Sequence, residues 1–224
     1  MSELKEEIKK DVVDQLYWDD RVDAGNITVS IEDGTVILEG SVASFAEKKA
    51  ASADAWSVHG VRAVANEITV AFPSTIEVPT DEEIRENVKK ALELASDIED
   101  KDIVVIVNNG IVILKGSVPS YWQKSRIEHI IAGITGVFEI NDTLTIVPTK
   151  NFIDKEIAED IISALERNYS VDAEKIDVLV EDGIVTLSGD VNDWRAYDAA
   201  MNTARFTAGV IHIVDHLEIK GDAL

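Results

Sequence analysis

The chain has 224 residues, 46% of them apolar, and 21 Lys and Arg stand against 43 Asp and Glu, which gives a formal net charge of −22 at pH 7. The apolar content suffices for packed cores and is too high for a disordered chain, while the complete lack of cysteine excludes disulfides, thiolate metal sites and cysteine nucleophiles. The acidic charge is spread along the chain without a basic patch, which argues against nucleic acid as a partner, and no apolar run approaches the ~20 residues of a membrane-spanning helix.

The first predicted element is an amphipathic helix in the stretch MSELKEEIKKDVVDQL. Ile8, Val12 and Leu16 are spaced by four residues, which places them on one face, and the residues between them are largely charged. The stretch lacks the basic start, apolar run and small-residue cleavage site of a secretory signal. For the sequence as given we therefore expect a cytoplasmic location, or a periplasmic one if a signal peptide has been removed.

Two strands joined by a tight turn follow this helix. Ile27, Val29 and Ile31 alternate with other residues, and the alternation resumes after Asp33 and Gly34. An Asp-Gly or Asn-Gly pair between alternating segments is the strongest short signal for a hairpin, because both residues of the turn adopt positive φ. A phosphate-binding loop is the alternative, but it would place its glycines between a strand and a following helix, whereas this turn glycine lies between two strands.

A second helix and a third strand complete the unit. Gly40 ends the second strand, where a side chain would obstruct a close backbone approach or a bulge. Ser44 is a predicted helix N-cap, Glu47 stands three residues later as in a capping box, and Gly60 marks the predicted end of the helix. The stretch GVRAVANEITV then alternates again, so the order of elements is α-β-β-α-β.

This unit occurs three times. Blocks of 63 residues that begin at Ile8, Ile84 and Ile157 align without a gap, and self-similarity of this length indicates small domains that each have a core. We therefore predict an α+β protein of three tandem α-β-β-α-β domains, each a three-stranded sheet with two helices on one face. The domains are predicted at residues 1–72, 80–148 and 152–221. Turn, strand-end and helix-end residues that recur in the copies form the structural signature: Asp33, Gly34, Gly40, Gly60, Asn109, Gly110, Gly116, Gly136, Asp182, Gly183, Gly189 and Gly209.

The repeats also test for chemistry. No His, Ser or Lys recurs at one position in all three copies, and the recurring residues have structural roles. His212 and His216 have a spacing that can hold zinc on a helix, but they fall on a predicted strand, where four residues span ~13 Å. Asn66, Asp142 and Asp215 recur on the same strand and predict an Asx bend or bulge. The sequence therefore predicts no catalytic residue, no cofactor and no metal site.

Aromatic residues are the better candidates for contact with a partner. One position at the start of the second helix is aromatic in all copies and is expected to be a core or staple residue: Phe45, Tyr121 and Trp194. Three other aromatic residues have a charged counterpart in at least one sister copy and are expected to be exposed: Tyr17, Trp18 and Trp122. Exposed Trp and Tyr suit interfaces with lipid headgroups or with protein, so these three are the candidate surface contacts.

The unit resembles the BON domain, a family named after an osmotically inducible protein and nodulation proteins of bacteria. The resemblance rests on Asp/Asn-Gly-x-Val-x-Leu-x-Gly-x-Val, followed by Gly-Val-x-x-Val/Ile-x-Asn/Asp-x-Ile/Leu-x-Val/Ile, at constant spacing in three blocks. That family is regarded as a non-enzymatic binding module of osmotic-shock proteins, outer-membrane maintenance proteins and membrane channels, with phospholipid as the ligand usually proposed. The resemblance implies a stress-related protein that binds a phospholipid membrane or envelope components; a scaffold that binds another protein is the alternative.

Overall fold

The computed structural model describes residues 2–32 and 34–220, in which the first and third repeats have the order α-β-β-α-β and the second has α-β-β-α-β-β. The helices are α1 (Ser2–Trp18), α2 (Phe45–Ser57), α3 (Asp81–Leu94), α4 (Tyr121–Ala132), α5 (Asp154–Glu166) and α6 (Trp194–Phe206). The strands are β1 (Ile27–Glu32), β2 (Thr35–Val42), β3 (Ala63–Val70), β4 (Ile103–Asn108), β5 (Ile111–Val118), β6 (Glu139–Asp142), β7 (Thr145–Ile146), β8 (Ile176–Glu181), β9 (Ile184–Val191) and β10 (His212–Ile219).

Each sheet is built from a hairpin and a crossover. In the first repeat β1 and β2 pair antiparallel, with Glu32 opposite Thr35, and β3 pairs in parallel with β2 after α2. In the third repeat β8 and β9 form the hairpin and β10 pairs in parallel with β9. Within the first repeat α1 contacts β1 and α2, and α2 contacts β2 and β3. The α+β fold of three tandem units predicted from the sequence is confirmed.

The second repeat departs from the predicted pattern in its last strand. The sequence predicts one continuous strand, whereas the structure has two pieces, β6 and β7, which pair in parallel with different parts of β5. Leu144 lies between the pieces and is buried, and its carbonyl accepts a hydrogen bond from Nζ of Lys124 over 2.8 Å. The gap in the strand is therefore held by a side-chain contact from α4.

Residue contacts group the chain into two compact units. One contains residues 1–94, 105–114 and 128–142, and the other contains residues 95–104, 115–127 and 143–224. The first unit holds the core of the first repeat, to which the stripe of α1 contributes Val12 and Leu16. The second unit holds the core of the third repeat, which includes the corresponding stripe of α5: Ile157, Ile161 and Leu165.

The strand-end glycine of each copy lies against the backbone that enters the first strand. A Cβ at Gly40, Gly116 or Gly189 would lie 1.9, 1.8 or 2.0 Å from the carbonyl oxygen of Asn26, Asp102 or Lys175, respectively. Real atoms do not approach this closely, so only glycine fits without movement of the backbone. The sequence pattern predicts a close backbone approach at this glycine, and the structure shows that approach.

The hairpin turns are tied to the first helix of their repeat. Asn109 and Asp182 have φ of 49° and 51°, and the glycines that follow them also have positive φ, as a two-residue turn of this type requires. Asp33 of the first repeat lies outside the described residues. The carboxylate of Asp81, the first residue of α3, accepts hydrogen bonds from the N–H groups of Asn109 and Gly110, each over 2.8 Å. This contact was not predicted, since 28 residues separate its partners.

The third repeat has the same clamp and offers a test of its strength. Asp154 accepts from the N–H groups of Asp182 and Gly183 over 2.8 and 2.9 Å. We expect Asp154→Ala to lower the free energy of unfolding of this repeat by about 2 kcal/mol, because hydrogen bonds to a charged group contribute about 1.5–3 kcal/mol. Urea unfolding of the full chain measures the change.

Two further variants make this test specific. Asp154→Asn keeps one acceptor oxygen and should lose about half as much stability. Lys155→Ala removes the exposed neighbour, whose ion pair with Glu159 contributes a few tenths of a kcal/mol at most. Equal effects of Asp154→Ala and Lys155→Ala would contradict the clamp.

Candidate functional site

The predicted contact residues lie on two helices. Tyr17 and Trp18 are the last two residues of α1, and their exposed fractions are 68% and 79%. Trp122 is the second residue of α4 and is 44% exposed. The chain therefore brings Tyr17 and Trp18 together, as neighbours at one helix end, and places Trp122 on a separate element.

The same helix end carries an exposed apolar side chain in the other repeats. Leu94, the counterpart of Trp18, ends α3 and is exposed, and Tyr169 is fully exposed just beyond the end of α5. Neither residue was among the predicted contacts. The alignment of the repeats contained the signal for Leu94, because its position follows directly from that of Trp18.

The segment that follows Trp18, residues 19–23, is fixed by an aspartate. We call residues 17–23 the α1 exit segment. The Asp19 carboxylate accepts from the backbone N–H of Arg21 over 2.9 Å and from Nε of the same arginine over 2.9 and 3.0 Å. These bonds favour the charged carboxylate and lower the pKa of Asp19 to about 2. Asp19 and Arg21 therefore close a turn directly after the exposed aromatic pair.

A second carboxylate joins the exit segment to the start of α2. Glu47 accepts from the N–H of Asp23 over 2.6 Å and from the N–H of Ala43 over 2.9 Å. Its own N–H donates to Oγ of Ser44, the N-cap of α2, over 3.1 Å. The predicted capping residue is thus present, and its glutamate partner also binds a loop 24 residues earlier in the chain.

A third carboxylate lies under the same helix end. Asp54 of α2 is 4% exposed, and its Oδ1 accepts from Nε2 of Gln15 over 3.3 Å. Burial makes the largest contribution to raising the pKa of this carboxyl, and the negative charge of Asp19 raises it further. Asp54 therefore favours its protonated form more strongly than an exposed aspartate does.

These three carboxylates set the first repeat apart from its sister copies. Among the residues that the structure describes, the buried charged or polar side chains are Asp19, Glu47 and Asp54. Their counterparts in the second and third copies are not acidic: Ala95 and Asn168, Gln123 and Ala196, Ile130 and Thr203. Buried charges oppose stability unless they are paired, so each of these carboxylates needs a partner within the first repeat.

The aromatic residues that begin the second helices have different environments. Tyr121 packs against the core of the third repeat, and its hydroxyl accepts a hydrogen bond from the backbone N–H of Ile213 in β10. Trp194 stacks on Tyr197 with ring centroids 4.8 Å apart, and the Tyr197 hydroxyl donates to Asp215. Tyr121 is therefore a core-packing residue, as the sequence allowed, but the core that it contacts is that of the next repeat.

The histidines and the Asx residues predicted on the last strand of the repeats have defined positions. His212 and His216 lie exposed on β10, on a strand as expected. Asn66 and Asp215 each accept a hydrogen bond from the backbone N–H two residues later, the predicted Asx geometry.

An open cleft of about 490 Å³ lies in the second unit, with Glu99, Asp100, Asp102, Pro119 and Val147 among its lining residues. This cleft contains none of the predicted contact residues.

Two kinds of site are missing from residues 2–32 and 34–220. No group of three or more His, Cys, Asp or Glu side chains in these ranges could hold a metal ion. No helix there is both long and apolar enough to span a bilayer.

Comparison with protein families and with curated proteins gives consistent matches. The model of the BON domain family matches the chain three times, at residues 5–71, 80–148 and 153–221. The chain is 31% identical over 166 residues to a 21 kDa hemolysin of Actinobacillus pleuropneumoniae, covering 71% of this chain and 84% of the hemolysin. It is 31% identical over 146 residues to osmotically-inducible protein Y of Escherichia coli, covering 62% and 73%. It is also 31% identical over 185 residues to the outer membrane lipoprotein DolP of Haemophilus influenzae, covering 80% and 89%.

Proposed function

Because this chain belongs to the BON domain family, we propose that it is a non-enzymatic binding protein of osmotic or envelope stress whose ligand is a phospholipid membrane surface. Similarity to three relatives supports the role. An osmotically inducible protein, an outer membrane lipoprotein and a hemolysin each match the chain over most of its length. The domains proposed from the repeats, residues 1–72, 80–148 and 152–221, contain the matched segments. A periplasmic location accords with this role and is part of the proposal.

The observation that carries the membrane proposal is the exposed Tyr17–Trp18 pair. Rings with an apolar body and a polar edge suit the boundary between lipid headgroups and acyl chains. The bonds of Asp19 and Glu47 hold the exit segment in one conformation, so little conformational entropy is lost when the rings insert. A fixed pair of exposed aromatic residues is therefore a suitable surface anchor.

The negative net charge of the chain distinguishes between anionic and zwitterionic phospholipids as ligands. The net charge of −22 opposes approach to an anionic surface, and only electrostatic screening reduces this repulsion. We therefore propose zwitterionic headgroups as the preferred partner. Co-sedimentation of the full chain with phosphatidylcholine vesicles, and with vesicles that also contain phosphatidylglycerol, compares the two. Failure to bind either kind would reject the lipid proposal.

Replacement of Trp18 tests the anchor directly. We expect Trp18→Ser to weaken partition onto phosphatidylcholine vesicles at least about tenfold, which corresponds to a loss of about 1.4 kcal/mol of binding free energy. Trp18→Phe keeps an apolar ring and should bind more tightly than the serine variant. Ile162→Ser removes an exposed apolar side chain of α5 and should bind as the wild type does. Equal losses for Trp18→Ser and Ile162→Ser would show that the aromatic pair is not the anchor.

A protein-binding scaffold is the second candidate function. Trp, Tyr and Arg are the residues most enriched at the centres of protein interfaces, and Tyr17, Trp18 and Arg21 occupy one short segment. A pull-down that returns one stoichiometric partner, lost in Trp18→Ser and indifferent to added lipid, would favour this function over membrane binding. Fractionation of cells that produce the native protein would show which partners it can meet.

A further inference from the structure

The buried Asp54 carboxyl group of the first repeat has one oxygen without a donor. Oδ1 accepts from Gln15, whereas Oδ2 is fully buried and has no hydrogen-bond donor among the described residues. The Asp19 carboxylate lies close enough to the Asp54 carboxyl group for a side-chain hydrogen bond between them. Two carboxylate oxygens repel each other at this range, and a proton between them converts the repulsion into a hydrogen bond.

The surroundings show which partner holds the proton. Asp19 is bound by the backbone N–H and the guanidinium of Arg21, which keep it charged. Asp54 receives only one long bond, 3.3 Å, from the neutral amide of Gln15. The charge of Arg21 also acts on Asp54 and lowers the pKa of its carboxyl, but burial raises that pKa more. The proton therefore belongs on Asp54, with Asp19 as its acceptor.

We propose that Asp54 and Asp19 share this proton as a pH-sensitive lock, which adds to the Glu47–Asp23 contact between α2 and the α1 exit segment when Asp54 is protonated and is lost when Asp54 ionises. The lock joins residues 35 positions apart, and Asp19 directly follows Trp18 in the chain. Neither sister repeat can form it, because Ile130 and Thr203 replace Asp54. The proposal concerns the folded chain alone and does not depend on membrane binding.

The direction of the pH effect follows from the two carboxyl groups. Burial raises the pKa of Asp54, so its contribution to stability is complete below the ordinary aspartate pKa of about 3.9 and is lost as pH rises through the raised value. Asp19 acts oppositely: its pKa of about 2 means that its contribution is present above about 3.9 and is lost as pH falls toward 2. The exit segment should therefore be joined to α2 by both contacts in mild acid, and should keep only the Glu47 contact once the pH has risen above the raised pKa of Asp54.

Nuclear magnetic resonance of the full chain can observe the proton directly. Titration of the side-chain carboxyl carbons should show Asp54 ionising above the ordinary aspartate pKa of about 3.9, and Asp19 below it. Ionisation of Asp54 at or below about 3.9 would overturn the proposal. This measurement needs no variant, so it stands even if a substitution prevents folding.

Hydrogen exchange tests the mechanical consequence. With intrinsic rates divided out, protection of residues 15–23 should fall as the pH rises through the raised pKa of Asp54, while protection of the matching residues 164–172 of the third repeat should not. Asp54→Asn cannot ionise and its amide can donate to Asp19, so its protection over residues 15–23 should be independent of pH. Asp20→Asn removes the same charge from the surface and should retain the pH dependence of the wild type. A pH dependence that survives Asp54→Asn would assign it to another group and end the proposal.

Discussion

Gly40→Ala is expected to destabilise the first repeat by about 3 kcal/mol or more, the largest effect of any single methyl group that we foresee in this chain. The added Cβ would lie 1.9 Å from the carbonyl oxygen and 3.0 Å from the carbonyl carbon of Asn26. Both atoms belong to the backbone that enters β1, so the clash is relieved only if the hairpin opens. The measurement is the urea midpoint of the full chain, followed by hydrogen exchange within β2 to locate the loss.

Gly34→Ala is the matched control in the same hairpin. Both glycines have positive φ, 122° for Gly40 and 86° for Gly34, so an alanine is strained at either position. A Cβ at Gly34 would meet nothing within 4 Å. We expect a loss of about 1 kcal/mol there, from backbone strain alone. Similar losses at the two positions would show that strain, and not the close approach, explains the strand-end glycine.

Ile161→Ala should be the second large effect, at about 3–4 kcal/mol, because truncation of a buried isoleucine loses transfer free energy and leaves a cavity. Ile161 is 0% exposed in the core of the third repeat, whereas its neighbour Ile162 is 42% exposed. Ile162→Ala should therefore change stability by less than about 1 kcal/mol. Hydrogen exchange in β9 measures both variants, and a loss of about 3 kcal/mol appears there as a decrease in protection of roughly a hundredfold or more.

The same experiment tests whether the repeats have separate cores. The buried cluster of the third repeat contains no residue of the first repeat, whose own cluster is built from α1, α2 and β1 to β3. Protection in β2 should therefore be unchanged by Ile161→Ala. A parallel decrease in β2 would mean that the first and third repeats unfold as one cooperative body.

Features that depend on neighbouring residues could be predicted from the sequence. The Asn109–Gly110 and Asp182–Gly183 turns need positive φ at two successive positions, and few residue types tolerate it. The N-caps Ser120 and Asp193 follow from the same kind of local rule. Because each pattern recurs in other copies, chance resemblance in one copy is corrected by the others.

Contacts between distant segments could not be predicted in this way. The clamp of Asp154 on its hairpin turn joins residues 28 and 29 positions apart, and nothing in the residues around Asp154 distinguishes it from the other acids of α5. Tyr121 has the same sequence position as Phe45 and Trp194, yet it packs against the core of the following repeat. Such contacts depend on which surfaces the fold brings together.

By itself, the sequence determined the number of repeats, the order of their elements and the exposure of Tyr17 and Trp18, because periodicity and repetition record which face of each element is buried. Only the tertiary structure decided which acids leave the solvent. Asp54 is one of 43 acidic residues and looks like any other on a charged helix, until the packing of α1 on α2 buries it beside Asp19. Burial depends on the distance between elements that are far apart in the chain, and a carboxyl group acquires an unusual proton affinity only when that distance removes its water.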